Sequence, residues 1–124
     1  GFKKMAMQET YTTGADNLFA GTQVQPVVAD EVVIASGQGV LVRGTAIGVN
    51  ADGKYEIVDS GGSVTEVAAI LAETVDATND DRPAPAYFTG EFNKNAIVFG
   101  GSDTVDTYIE QARARGIFFK DTVK

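Results

Sequence analysis

Apolar and polar positions divide the 124-residue chain into two unlike parts. Over residues 1–22, "GFKKMAMQETYTTGADNLFAGT", the large apolar residues stand singly among Thr, Gly, Gln and Asn. They follow neither the helical nor the strand period. Such a segment buries too little by itself to offset the entropy of being ordered. It reads as an arm without order of its own, and residues 23–124 read as a β-rich domain. The repeated large side chains, Phe2, Met5, Met7, Tyr11, Leu18 and Phe19, count against a merely solvating tail.

From Val24 the pattern changes. "VQPVVADEVVIASGQGVLVRGTAIGV" is rich in β-branched residues and punctuated by glycine, which predicts short strands. Val32 to Ala35 and Val40 to Val42 are apolar runs fit for buried strands. "GVNADGKYEIV" predicts a hairpin turning at Asp52-Gly53, with Tyr55 and Ile57 alternating against Lys54 and Glu56. "SVTEVAAILAETVDA" supports two readings. Ser63 and Glu66 have capping-box spacing, and Val64, Val67, Ala68, Leu71 and Val75 fit one helical stripe; a buried strand through Ala68 to Val75 is the other. The residues alone slightly prefer the helix.

"TNDDRPAP", Thr78 to Pro85, predicts a loop. "AYFTGEF" follows as a strand with Phe88 and Phe92 on one face. Asn93-Lys94-Asn95 then turns, and "AIVF" returns as a second strand. Ser102 or Asp103 caps a helix whose stripe is Val105, Tyr108, Ile109 and Ala112. Arg113 and Arg115 suit its negative end, and Gly116 terminates it. "IFF", Ile117 to Phe119, is a last short strand.

Composition narrows the chemistry. There is no cysteine and no histidine, so thiolate sites, thiol nucleophiles and the commonest neutral-pH base are excluded. A net charge of −7 disfavours nucleic acid as a partner. No apolar run approaches the ~20 residues that span a bilayer, so no membrane partner is expected. "GFKKMAMQET" has no apolar stretch behind its lysines and does not read as a secretory signal.

Motifs are equally sparse. "FGGSDT" sets a glycine pair before a helix start, where capping explains it better than an anion site. "DATNDD" lacks the glycine and closing glutamate of a calcium loop. Glu91 is the one carboxylate that stands out, and it reads as an outward-facing strand residue. No cofactor or metal is expected.

The order "PVV", "VVIASGQGVLVRGTAIGV", "KYEIVD", "LAETVDAT", "GEFNKNAIVFG" and "ARARGIFF" resembles the head decoration proteins of tailed bacteriophages, the group of the lambda decoration protein D. The resemblance covers roughly residues 24–119. It implies a mostly β fold, a small β-tulip or β-clip-like barrel with one short C-terminal helix and an extended N-terminal arm. It also implies a strand, not a helix, at Ala68 to Val75.

By the same resemblance the protein is a homotrimer on local threefold axes of the expanded icosahedral head. It cements neighbouring copies of the major capsid protein, without enzymatic activity or cofactor. Its place would be the outer surface of the virion head, and the host cytoplasm during assembly. The arm would become ordered on the capsid; the isolation of Phe2, Met5, Met7, Tyr11, Leu18 and Phe19 in a polar segment suggests that these side chains fill pockets there. About 20 extended residues reach on the order of 65 Å. A different class is a small β-barrel module binding a carbohydrate or peptide, with Tyr55, Tyr87 and Phe88 as the aromatic candidates.

Overall fold

The computed structural model describes residues 17–20 and 28–121. Among these residues eight strands follow in chain order: β1 (Val28–Ile34), β2 (Gly39–Leu41), β3 (Ala46–Val49), β4 (Tyr55–Ile57), β5 (Ala69–Leu71), β6 (Val75–Ala77), β7 (Arg82–Asn93) and β8 (Ile117–Lys120). One short helix, α1 (Ile109–Arg113), precedes β8. The fold is mostly β, as expected.

Five strands close a barrel in the order β1-β4-β3-β5-β7, because β7 returns to pair with β1. Closure leaves these strands no open edge along the shared ladder. β2 and β6 form a separate two-stranded ribbon, and β8 adds to the far half of β7 in parallel.

Two apolar clusters explain the sequence pattern. Alternate residues of all five strands supply the barrel interior: Val32, Ile34, Ile47, Ala69, Leu71, Ala84 and Ala86, with Tyr55 and Ile57 packed against them. Leu41 and Ala77, from the ribbon, join this cluster. A narrow barrel has room for few large side chains, which accounts for its alanines. The second cluster lies on the outer face of the sheet: Ala46, Ile70, Phe92 and Ile117 meet Val105, Tyr108 and Ala112. β5 is therefore buried on both faces, and its run "AIL" shows no alternation. That is why its helical and strand readings were hard to separate. The strand reading holds for Ala69–Leu71, and Ser63 caps no helix; its hydroxyl lies 3.3 Å from a Glu56 carboxylate oxygen.

The predicted hairpin is present. Gly48 opposes Glu56 across β3 and β4, and Gly53 takes φ +82° in the turn.

Several expectations are corrected. The segment through Pro85 is not all loop: β7 begins at Arg82 and carries both prolines. They stand two apart, so both lack their N–H on the same side of the strand. The Pro85 carbonyl on that side accepts from Ala72 N–H, and the ladder to β1 is spared. Phe88 and Phe92 do not share a face, because Phe88 packs on the barrel interior and Phe92 on the outer cluster. The register slips by one residue opposite Val28/Ala29, and this bulge switches the faces.

"AIVF" is not a returning strand. Lys94–Ala96 form a 3-10 turn, and only a bridge from Val98 to Thr45 follows. The C-terminal helix is shorter than its stripe suggested, a 3-10 turn (Val105–Thr107) leading into α1. Val33, Val40 and Val42 are exposed at 42%, 60% and 45%, so those runs are only half buried.

Candidate functional site

The four residues Asn17 to Ala20 are built into the domain. They lie along the edge of β7 opposite β8. Ala20 N–H donates to the Glu91 carbonyl at 3.0 Å, and Asn93 N–H donates to the Leu18 carbonyl at 2.7 Å. The Asn93 side-chain amide donates to the Asn17 carbonyl at 3.0 Å. Leu18 is buried in the outer cluster, and Phe19 stacks on Phe92 with ring centroids 5.2 Å apart. Tyr87 meets Phe19 edge-on at 5.1 Å. This root fixes where the preceding chain leaves the domain.

Of the six side chains expected to fill capsid pockets, Leu18 thus lies in the chain's own core and Phe19 packs half-buried against it. Phe2, Met5, Met7 and Tyr11 lie outside the described residues. The sequence signal for the root was Asn93, read only as a turn former. Its buried side chain both donates to Asn17 and accepts from Asn95 N–H at 3.0 Å.

Glu91 is not outward-facing. It is buried, and its carboxylate pairs with the Lys120 ammonium at 3.2 Å across β7 and β8. A buried carboxylate needs such partners. Its alternation was masked by the bulge at Phe88, which inverts the faces beyond it.

The other candidates are occupied structurally. Asp76 accepts from the Thr78 hydroxyl at 2.6 Å and the Thr78 N–H at 3.0 Å, which hold its carboxyl below the usual range. Asp81 pairs with Lys54 at 2.8 Å and accepts from Ser36 N–H. Among the described residues, no group of three or more acidic side chains could hold a metal ion.

Asp103 is not a helix cap. Its carboxylate accepts from the Tyr108 hydroxyl at 2.6 Å, the Ser60 N–H at 2.6 Å and the Ser60 hydroxyl at 2.8 Å. These bonds, the Tyr108 one foremost, lower its pKa. Burial, and then the bond to Asp103, push the Tyr108 hydroxyl up to about 12. The glycine pair of "FGGSDT" makes room for a second acid. A Cβ at Gly100 would stand 2.8 Å from that of Asp59.

The aromatic candidates do not form an exposed platform. Tyr87 packs on the outer cluster under Arg43, whose guanidinium lies 5.7 Å from its ring centroid. Tyr55 and Phe88 are half buried against the barrel interior, edge to face at 6.4 Å. Among the described residues, no helix is long and apolar enough to cross a membrane. Among the described residues the geometry offers no reactive constellation. It offers a rigid barrel with a firmly rooted N-terminal segment.

The comparison with protein families fits that description. The family described as bacteriophage lambda head decoration protein D matches residues 7–117. Among curated proteins nothing matches.

Proposed function

The chain belongs to the bacteriophage lambda head decoration protein D family, and on that premise we propose that it clamps the expanded phage head as a trimer at local threefold sites. The family is one of phage head decoration proteins, which supports a place on the phage head. The observation that carries the reading is the extent of the match, which spans the whole barrel and part of the segment before the root.

The action needs no reactive group. A clamp must bind the expanded shell better than the unexpanded one, since only differential affinity shifts the equilibrium. Three linked copies raise the effective concentration of each successive contact. Residues 1–16 act as the arm that docks on the major capsid protein, with Phe2, Met5, Met7 and Tyr11 as pocket-filling side chains. The root supports this division. With Leu18 and Phe19 locked on β7, force on the arm is passed to the long central strand.

The test is co-sedimentation with expanded, undecorated heads. The intact protein binds and raises the temperature at which heads release DNA. A variant with Phe2, Met5, Met7 and Tyr11 all changed to Ser keeps its fold and stays in the supernatant. Undiminished binding by that variant rules out the arm; heads equally fragile with and without the intact protein rule out the clamp.

A further inference from the structure

The root is held by more than β7. The turn leading from β2 into β3 reaches it at two points. At the first, Gly44 lies directly against Leu18: a Cβ on Gly44 would stand 3.4 Å from the Leu18 Cδ1 and 2.7 Å from the Ala96 carbonyl oxygen. Only glycine leaves the chains this close. At the second, Arg43 acts through Tyr87. Its Nη1 donates to the Tyr87 hydroxyl at 3.1 Å and to the Ala72 carbonyl at 2.7 Å, and its guanidinium stands over the Tyr87 ring. Tyr87 in turn meets Phe19 at 5.1 Å and Phe92 at 6.1 Å between ring centroids.

The brace is itself anchored. Arg43 N–H donates to the Thr74 hydroxyl oxygen at 3.1 Å, Gly44 N–H to the Leu71 carbonyl at 2.9 Å, and Ala72 N–H to the Pro85 carbonyl at 2.9 Å. A half-buried tyrosine can otherwise change rotamer. A hydrogen bond at its hydroxyl and a cation over its ring hold Tyr87 in the rotamer that meets Phe19.

Position matters here because ordering a segment at the moment of binding costs free energy. Leu18 is sunk in the core, whereas Phe19 is only half buried and depends on its ring neighbours. We infer that Arg43 is a positioning residue for the arm: by locking Tyr87 against Phe19 it sets the direction in which residues 1–16 leave the domain. This rests on the arm reading above.

Amide exchange on the free full chain reads the root without any capsid. Ala20 N–H and Asn93 N–H report on the root; Val58 N–H, bonded to Ala46, and Ala68 N–H, bonded to Ile47, report on the barrel. In Arg43→Met the first two exchange about tenfold faster, and the second two change by less than about twofold. Arg43→Lys keeps the cation but not the planar fork, and falls between; it carries the comparison if Arg43→Met does not fold. In co-sedimentation with expanded, undecorated heads, affinity drops about tenfold for Arg43→Met and less for Arg43→Lys. Equal acceleration at all four amides, or none at Ala20 and Asn93, overturns the inference, as does a selectively loosened root with undiminished head binding. If the variant with Phe2, Met5, Met7 and Tyr11 changed to Ser also binds undiminished, it is the arm reading that has failed, and the exchange alone decides whether Arg43 holds the root.

Discussion

Gln111 and Val67 are joined as if they were neighbouring strand residues. The side-chain oxygen of Gln111 accepts from Val67 N–H at 2.7 Å, and its amide donates to the Val67 carbonyl at 2.9 Å. Val67 is fully buried and belongs to no strand, so its backbone groups have to be satisfied in this way. Gln111→Ala therefore strands two buried groups and costs about 2–4 kcal/mol. Urea unfolding measures it. Glu in place of Gln offers the acceptor without the donor and recovers only part of the loss.

Gly48 presents a sharper case. A Cβ there would collide with the Glu66 carbonyl oxygen and stand 2.6 Å from a Val64 methyl. The obstacle is backbone held by the Gln111 clamp nearby, so it cannot move aside cheaply. Gly48→Ala is expected to destabilise by at least ~3 kcal/mol. Gly53→Ala, in open space at φ +82°, costs only ~1–2 kcal/mol, from backbone strain. Matched denaturation curves separate collision from strain.

The local features of the fold were legible where a single short-range cause decides them. Asp52-Gly53 specifies its turn through glycine's positive φ, and Ile117–Lys120 is a β-branched and aromatic run after a helix stop. Long-range causes left no such mark. Pro83 and Pro85 look like loop residues because their tolerance depends on which side of β7 faces β1. Glu91 looks exposed because a bulge opposite Val28/Ala29 inverts the strand beyond it. Asp103 looks like a cap because its partner Ser60 is 43 residues away. Of the candidate site, the isolated large residues before Asn17 were visible, but the root at Asn93 was not. Asn93 acts through strand partners that the sequence does not reveal.

The root divides the N-terminus into parts with different roles, and truncation distinguishes them. Removing residues 1–16 leaves the contacts of Leu18 and Phe19 with β7 in place, so the urea midpoint is expected to stay close to that of the full chain. Removing residues 1–20 takes away the buried Leu18 side chain and uncovers Phe92 and Glu91. Loss of one buried leucine alone costs ~2–5 kcal/mol, and the shorter protein should show at least that. Both truncations lose head binding if the arm docks. Equal stability of the two would mean that the root carries no weight.

Stability should form a plateau across neutral pH with a fall on each side. On the acid side, Asp103 is held below its ordinary pKa by Tyr108 and Ser60, Asp81 by Lys54 and Ser36, and Asp76 by Thr78. A depressed folded pKa stabilises above the unfolded value of about 3.9, and the gain is lost as pH falls through the folded value. On the alkaline side, Tyr108 is raised to about 12 by burial and by Asp103, and Lys54 is raised by Asp81. A raised folded pKa stabilises below the unfolded value, so this part fades as pH climbs from about 10 through 12. Urea midpoints measured from pH 2 to 12 trace both limbs. Tyr108→Phe leaves Asp103 one donor short; it weakens the acid limb and removes the tyrosine share of the alkaline one. Asp103→Ala flattens the acid limb further and brings the alkaline fall to lower pH, because the tyrosine then lacks the carboxylate that kept its proton. An Asp103→Ala variant whose acid limb is unchanged would show that the Ser60–Asp103–Tyr108 link contributes nothing to stability.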